Sequence, residues 1–207
     1  MKEYHKIKNI FKRDEKTKKL IENRFADPTI EFLKDLPWEF TEKIDGTNIR
    51  VGWDGHRVNF YGRTDNAQIP VRLMNRLLEL FGGDANEQLF EQKFGNKPVM
   101  LIGEGYGAGI QKGGAYSREQ EFVLFDVLID DMYLMRDSVF DIATYFGVPA
   151  VPVVVVGTIQ EGVDYVKSSP MSLIGTAMSE GLVGRPKFEL LDRRGERVIV
   201  KIRVCDF

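Results

Sequence analysis

The chain has 207 residues, 43% of them apolar and 14 of them Phe, enough to bury one substantial core and near the usual size of one domain, so a single compact unit is expected over residues 1–207. Its formal net charge of −2 provides no general basic field for nucleic acid, so contact with a polynucleotide must come from a local patch. One cysteine, Cys205, excludes an internal disulfide framework; with only two histidines it leaves too few soft ligands for a structural zinc site, and a reducing, cytosolic setting fits best.

The N-terminus from Met1 to Lys6 has no apolar signal core, and the most apolar run, Val148 to Gly157, is broken by Pro149 and Pro152, so neither secretion nor membrane insertion is indicated. Residues 1 to 24 gather Lys2, Lys6, Lys8, Lys12, Arg13, Lys16, Lys18, Lys19 and Arg24 against Glu3, Asp14, Glu15 and Glu22. This reads as a solvated surface segment or, alternatively, as an arm that contacts a phosphate backbone. Asp27-Pro28 is an N-cap and first-turn signal, and Ile30, Leu33 and Leu36 follow at helical spacing until Pro37. The pattern then becomes β-rich over Trp38 to Ile44, Thr47 to Trp53 and Arg57 to Gly62, the last two joined by the hairpin signal Asp54-Gly55-His56.

Helical spacing returns at Val71, Met74, Leu77, Leu78 and Phe81, ending at Gly82-Gly83, with a shorter helix expected over Asn86 to Phe94. Strands from Pro98 to Gly103 and Glu121 to Ile129 flank a glycine-rich segment. Ser138 caps a further helix that turns Val139, Ile142, Ala143 and Phe146 inward and ends at Gly147; Ser169-Pro170 is read as the start of the last one. From Gly181 to Val204 strands are expected, joined by a turn at Arg193-Arg194-Gly195. Strands mixed with single helices, without regular βαβ alternation, indicate an α+β domain built on antiparallel sheets.

The chemistry-bearing residues lie in five segments. Lys43-Ile44-Asp45-Gly46-Thr47-Asn48 alone is a short string that a solvated strand lysine would explain as well. It is followed in order by Gly62-Arg63-Thr64, by Gly103-Glu104-Gly105, by Glu180 to Pro186 and by Val200-Lys201-Ile202-Arg203. A lysine amine with a reference pKa of about 10.4 is protonated at neutral pH, and it must be desolvated or surrounded by cations to attack phosphorus. Arg63, Arg185, Lys201 and Arg203 are available as those cations. Strand alternation puts Lys201 and Arg203 on one face and Val200 and Ile202 in the core, although the charged face of an edge strand would look the same.

Together the segments closely resemble the covalent nucleotidyltransferase superfamily of ATP-dependent ligases and capping enzymes, and most of all its phage-type RNA ligase 2 family. Glu42 to Asn48 looks like motif I, Gly103 to Lys112 with Phe122 to Asp126 like the central block, and Glu180 to Pro186 and Arg197 to Arg203 like motifs IV and V. The resemblance implies a nucleotidyltransferase fold of two antiparallel β-sheets flanked by helices. It also implies that ATP donates AMP to Lys43, with Glu42, Asn48, Arg63, Glu104, Phe125, Glu180, Arg185, Lys201 and Arg203 around the nucleotide. Phe125 would stack on adenine, Asn48 and Arg63 would hold ribose or phosphates, and Glu104 the ribose. Mg²⁺, or Mn²⁺, would be gripped by Asp45, Glu104 and Glu180 largely through its waters, in keeping with the ion's reluctance to dehydrate.

Gly103-Glu104-Gly105-Tyr106-Gly107-Ala108 also matches a dinucleotide fingerprint, but that motif must open a helix, and Gly107, Gly109, Gly113 and Gly114 interrupt one. These glycines are expected instead to let the backbone pass close to a nucleotide or strand, with Gln111 and Lys112 near its phosphates, or to form a plain surface loop. Two positions depart from the family pattern. Asp45 stands where the best-known member has histidine, as in DNA ligases and capping enzymes. Arg203 replaces the second motif V lysine, which keeps the charge but removes a proton donor.

The expected function is a phage-like, ATP-dependent RNA repair ligase joining a 5′-phosphate to a 3′-hydroxyl. The alternatives are a DNA ligase, a GTP-dependent capping guanylyltransferase or a non-catalytic module that binds nucleic-acid ends. With the sequence stopping four residues past Arg203, no appended C-terminal domain is expected, and a partner protein or the basic N-terminal arm would compensate.

Overall fold

The computed structural model describes residues 3–207, so Lys2 of the basic N-terminal segment lies outside the described residues. In chain order the elements begin with β1 (Lys8–Asn9), β2 (Phe11–Arg13), β3 (Leu20–Phe25), α1 (Pro28–Phe32), β4 (Trp38–Lys43), β5 (Thr47–Trp53) and β6 (Val58–Tyr61). They continue with α2 (Val71–Phe81), α3 (Asp84–Phe94), β7 (Val99–Tyr106), β8 (Glu121–Ile129), β9 (Met132–Tyr133) and α4 (Arg136–Tyr145). Last come β10 (Val153–Gly157), α5 (Ile159–Lys167), β11 (Gly181–Pro186) and β12 (Val200–Arg203). The described residues fall into two compact units, one of Asp45–Val151 with the described residues up to His5, the other of Lys6–Ile44 and Pro152–Phe207.

The unit that contains Lys43 is built on a five-stranded sheet ordered β1-β12-β11-β4-β10, antiparallel except for the parallel pair β1 and β12. Trp38 and Phe40 of β4, Leu182 of β11 and Val200 and Ile202 of β12 alternate onto one face and are fully buried against Ile159, Val163 and Val166 of α5. Helix and sheet approach closely because Gly162 and Gly184 both abut the Phe40 ring, where a Cβ would come within 2.6 Å and 2.4 Å.

Helix α5 corrects the sequence reading, which started a helix at Ser169-Pro170. Thr158 caps the Glu161 amide and Glu161 returns a bond to Thr158, a reciprocal box that fixes the start, and apolar residues at 159, 163 and 166 supply the buried stripe. Ser169, with φ at 53°, and Pro170 end that stretch instead. The run Val153–Gly157, noted only for its apolar content, is the edge strand β10. Helix α1 stops at Phe32 rather than continuing to Leu36; the Lys34 and Leu36 amides bond only three residues back, and the Leu33 carbonyl also accepts from the Trp38 indole at 2.8 Å. The basic N-terminal segment is no loose arm. Ile10, Phe11 and Leu20 enter the core, and β2 and β3 pair as a hairpin.

The other unit has a fully antiparallel sheet ordered β6-β5-β7-β8-β9. Ile49, Val51 and Trp53, with Leu101, Phe122 and Leu124, point to one face, which α2, α3 and α4 cover through Leu73, Leu77, Phe81, Phe90 and Phe146. Helix α3 begins two residues earlier than expected and α4 three, so Ser138 lies inside the first turn of α4 rather than at its cap. The two main sheets with flanking helices agree with the expected α+β class.

Candidate active site

In the first unit, Lys43 ends β4 and is in register with Gly181, which is in register with Arg203. One step along, Thr41, Val183 and Lys201 form the next row. Partners in register on antiparallel strands project to the same face, so Lys43, Lys201 and Arg203 share the side opposite the α5 core, as the alternation of β12 requires. Gly181 contributes no side chain between Lys43 and Arg203. It also has no room for one: its φ is 150°, and a Cβ would lie 2.0 Å from the Ile202 carbonyl oxygen.

Lys43 Nζ donates to Glu180 Oε2 at 2.6 Å, and both side chains are largely covered, at 25% and 20% exposure. Burial, then the charges of Arg203, Lys43 and Lys6, push the Lys201 amine below its usual range. Arg203 is shifted upward, chiefly by its hydrogen bonds to Asp206. Burial of Asp206 favours its neutral acid, but the bonds from Arg203 and Arg13 outweigh it and hold the carboxyl below the ordinary range. Arg185 is buried and in register with Glu39. Glu42 faces away from Lys43, toward α5; its Oε2 accepts from the Leu173 amide at 2.9 Å, and its buried Oε1 has no hydrogen-bond partner. Burial and the charge of Glu42 push the Tyr165 phenol up.

In the second unit, Asn48, Glu104 and Val123 form one row across β5, β7 and β8 on the face away from the helices. Asn48 Oδ1 is buried without a hydrogen-bond partner. Along β8, Leu124 pairs with Gly103 while Asp126 pairs with Ile102, so Phe125 is the extra residue of a β-bulge. The bulge places Phe125 beside Met100, Ile102 and Leu128, on the face of Val123 as period two suggested, and re-aims its half-buried ring. Tyr4 packs edge-on to that ring at 5.4 Å and its hydroxyl donates to Asp126 at 2.7 Å.

Asp45 is half-buried in the turn before β5, and Arg63 is exposed in the loop after β6. That loop is pinned by Arg50, two residues beyond Asn48 and fully buried. Arg50 Nε donates to the Gly62 carbonyl at 2.9 Å and Nη2 to Asp65 at 2.7 Å. The sequence singles out none of Arg50, Tyr4 and Asp206 for the site, and Arg13 only as one of the basic N-terminal residues; a charged residue inside the apolar strand Ile49 to Val51 is the one local signal for Arg50.

Gly103 and Gly105 sit in strand β7, and no helix opens at them, as expected; they face Phe122 and Leu73, where a Cβ would come within 2.3 Å of each. Gly113 abuts the Gly107 backbone, whereas a Cβ at Gly109 or Gly114 would meet nothing closer than 3.5 Å. Gln111 and Lys112 are exposed. Among the described residues, no three His, Cys, Asp or Glu side chains gather as a ready metal site. No described helix is long and apolar enough to cross a membrane.

Residues 36–203 match the family model described as RNA ligase. Similar solved structures include the Naegleria gruberi RNA ligase with PPi, 22% identical with a TM-score of 0.64, covering 85% of this chain and 52% of that one. A mutant of that ligase with AMP and Mn is 21% identical with a TM-score of 0.65, covering 85% and 52% of the two chains. Another mutant, with ATP and Mn, is 21% identical with a TM-score of 0.64, covering 85% and 51%. At this identity the likeness is one of fold, and the present chain spans about half the length of those chains. No curated protein matches the sequence.

Proposed function

The chain belongs to the RNA ligase family, and from that membership we propose that it is an ATP-dependent RNA ligase working through AMP bound covalently to Lys43. The carrying observation is Lys43 Nζ, 2.6 Å from Glu180 on a face shared with Lys201 and Arg203. For attack the amine leaves Glu180, with the cations Lys201 and Arg203 on the same face. The amine then attacks the α-phosphorus of ATP. A nitrogen–phosphorus bond forms, the bond to the β-phosphate oxygen breaks, pyrophosphate leaves, and the amine's proton is lost. Lys201 and Arg203 offset the charge that builds on the departing oxygens. AMP passes next to a 5′-phosphate, and a 3′-hydroxyl displaces it as the ends join.

Asn48, with its unpartnered buried oxygen, and Glu104 in the same row are assigned to the ribose, Arg63 and Arg185 to phosphates, and Phe125 to the adenine ring. Glu42 is assigned to the nucleotide as well, and its carboxylate accepts from the Leu173 amide. Asp45, Glu104 and Glu180 are each assigned to the metal through carboxylate oxygens, largely by way of its waters, which suits Mg²⁺ or Mn²⁺ better than a soft metal. When bound, the ion would supply charge neutralisation at the phosphates. The Naegleria gruberi structures hold ATP, AMP, PPi and Mn, the species that such steps use and release. Both units belong to one adenylation domain in this reading, acting in the cytosol on RNA ends, with a partner protein assisting.

Incubation with α-labelled ATP or GTP, followed by sealing assays on matched nicked RNA, DNA and hybrid duplexes, tests the proposal. Label from ATP and sealing of RNA are expected. A GTP-only adduct would assign a guanylyltransferase, sealing of DNA alone a DNA ligase, and strand binding without adduct a non-catalytic module.

A further inference from the structure

We propose that Asp206 is a positioning residue that fixes the guanidinium of Arg203 on the face of Lys43, with Arg13 of the N-terminal hairpin as its second anchor. The inference rests on the adenylation reading above for what Arg203 does, but its geometry stands by itself. Asp206 is 1% exposed. Its Oδ1 accepts from Arg203 Nη2 at 2.8 Å and from Arg13 Nη2 at 2.7 Å, and its Oδ2 accepts from Arg203 Nε at 3.2 Å. A carboxylate so thoroughly removed from water persists only where cations and N–H donors satisfy it.

The two bonds from Nε and Nη2 engage one edge of the planar guanidinium, which sets its plane and leaves Nη1 for another partner. Arg203 lies two strands from Lys43 with only Gly181 between, a backbone separation of about 10 Å at ordinary strand spacing. A long side chain spanning that gap toward a phosphate must otherwise be ordered at each turnover, and a preset aim removes this cost. Lysine could not be held in this way, because it has no fork to share between a carboxylate and a phosphate. The arginine that departs from the family's motif V pattern and the buried acid three residues later therefore form one device.

The hairpin completes it. β2 supplies Arg13, and Lys19 at the start of the return strand donates from Nζ to the Cys205 carbonyl at 3.0 Å. The basic N-terminal segment thus acts inward, on the aim of Arg203, at two of the positions that sequence alone read as solvated or reaching for a phosphate backbone.

A double-mutant cycle of Asp206→Asn and Arg203→Ala on the full chain tests this. It is read by two measurements: nucleotide adduct formation, and calorimetric binding of inorganic pyrophosphate. With Arg203 present, Asp206→Asn is expected to lower both by roughly ten- to a hundredfold. In the Arg203→Ala background it should lower neither further. Arg13→Met, which spares the Arg203 fork, should show a smaller loss. Equal losses from Asp206→Asn in both backgrounds, or none in either, would overturn the proposal. If unaltered protein takes up no nucleotide while pyrophosphate binding shows the expected cycle, the proposed function fails and the role of Asp206 stands. Thermal melting of each variant separates loss of fold from loss of aim.

Discussion

Lys201 and Arg203 stand two residues apart on one face of β12, yet their surroundings push them in opposite directions. Burial and neighbouring cations lower Lys201, whereas Asp206 raises Arg203. Lys201 is therefore the member of the pair suited to give a proton to departing pyrophosphate, a task arginine does not perform. Lys201→Arg should keep nucleotide binding, slow adduct formation, and remove the alkaline limb that Lys201 sets below pH 10.5 in the rate profile. Because the unfolded chain holds this proton more tightly, the charged lysine costs stability below its lowered folded-state pKa, and that cost fades as pH rises toward 10.5. Lys201→Met should therefore melt higher near neutral pH while losing adduct formation. Asp206 has the opposite sign: its stabilisation is present above pH 3.8 and is lost as pH falls through the lowered folded-state value. Asp206→Asn should cost about 2 kcal/mol in denaturant titrations near neutral pH, with the gap closing in acid. Lys43, Glu180, Lys201 and Arg203 could be singled out from sequence because each sits in a short motif and the motifs follow in order along the chain. It could not identify the partnership of Arg13 with Asp206, which are 193 residues apart.

At the scale of elements, strand alternation was legible wherever the partner strand did not interfere. Val200 and Ile202 are fully buried and Lys201 and Arg203 are not, as period two requires. The bulge at Phe125 was not legible, because an extra residue in β8 is defined only by its pairing with β7. Helix α5 was missed even though Thr158-x-x-Glu161 signals its start, since the following Ser169-Pro170 was given the weight. Thr158→Ala should cost about 1 kcal/mol, measured by thermal or denaturant unfolding. Gly181→Ala should cost about 1–3 kcal/mol, because the added Cβ would strike the Ile202 carbonyl and force β11 and β12 apart. It should also depress adduct formation, since the same displacement shifts Arg203 relative to Lys43. Adduct formation equal to that of the unaltered protein at saturating ATP would show that the spacing of this row is unimportant.

For the whole molecule, the order of strand and helix patterns pointed to the α+β class and the order of motifs to the family, which the match over residues 36–203 shows. The division into two units was not marked, because no linker, repeat or compositional break separates them. Their boundary falls between Ile44 and Asp45, inside the hexapeptide around Lys43, so residues contiguous in the motif are distributed between two cores. A net charge of −2 still leaves the choice of strand to local groups. The central claim is the chemistry of Lys43. The most direct test is mass spectrometry of the protein after incubation with ATP and Mg²⁺, with peptide mapping of the modified site and Lys43→Met as control. One AMP is expected on the peptide containing Lys43 and none in the variant; AMP on another residue, or no adduct in protein that seals RNA, would rule out Lys43 as the carrier.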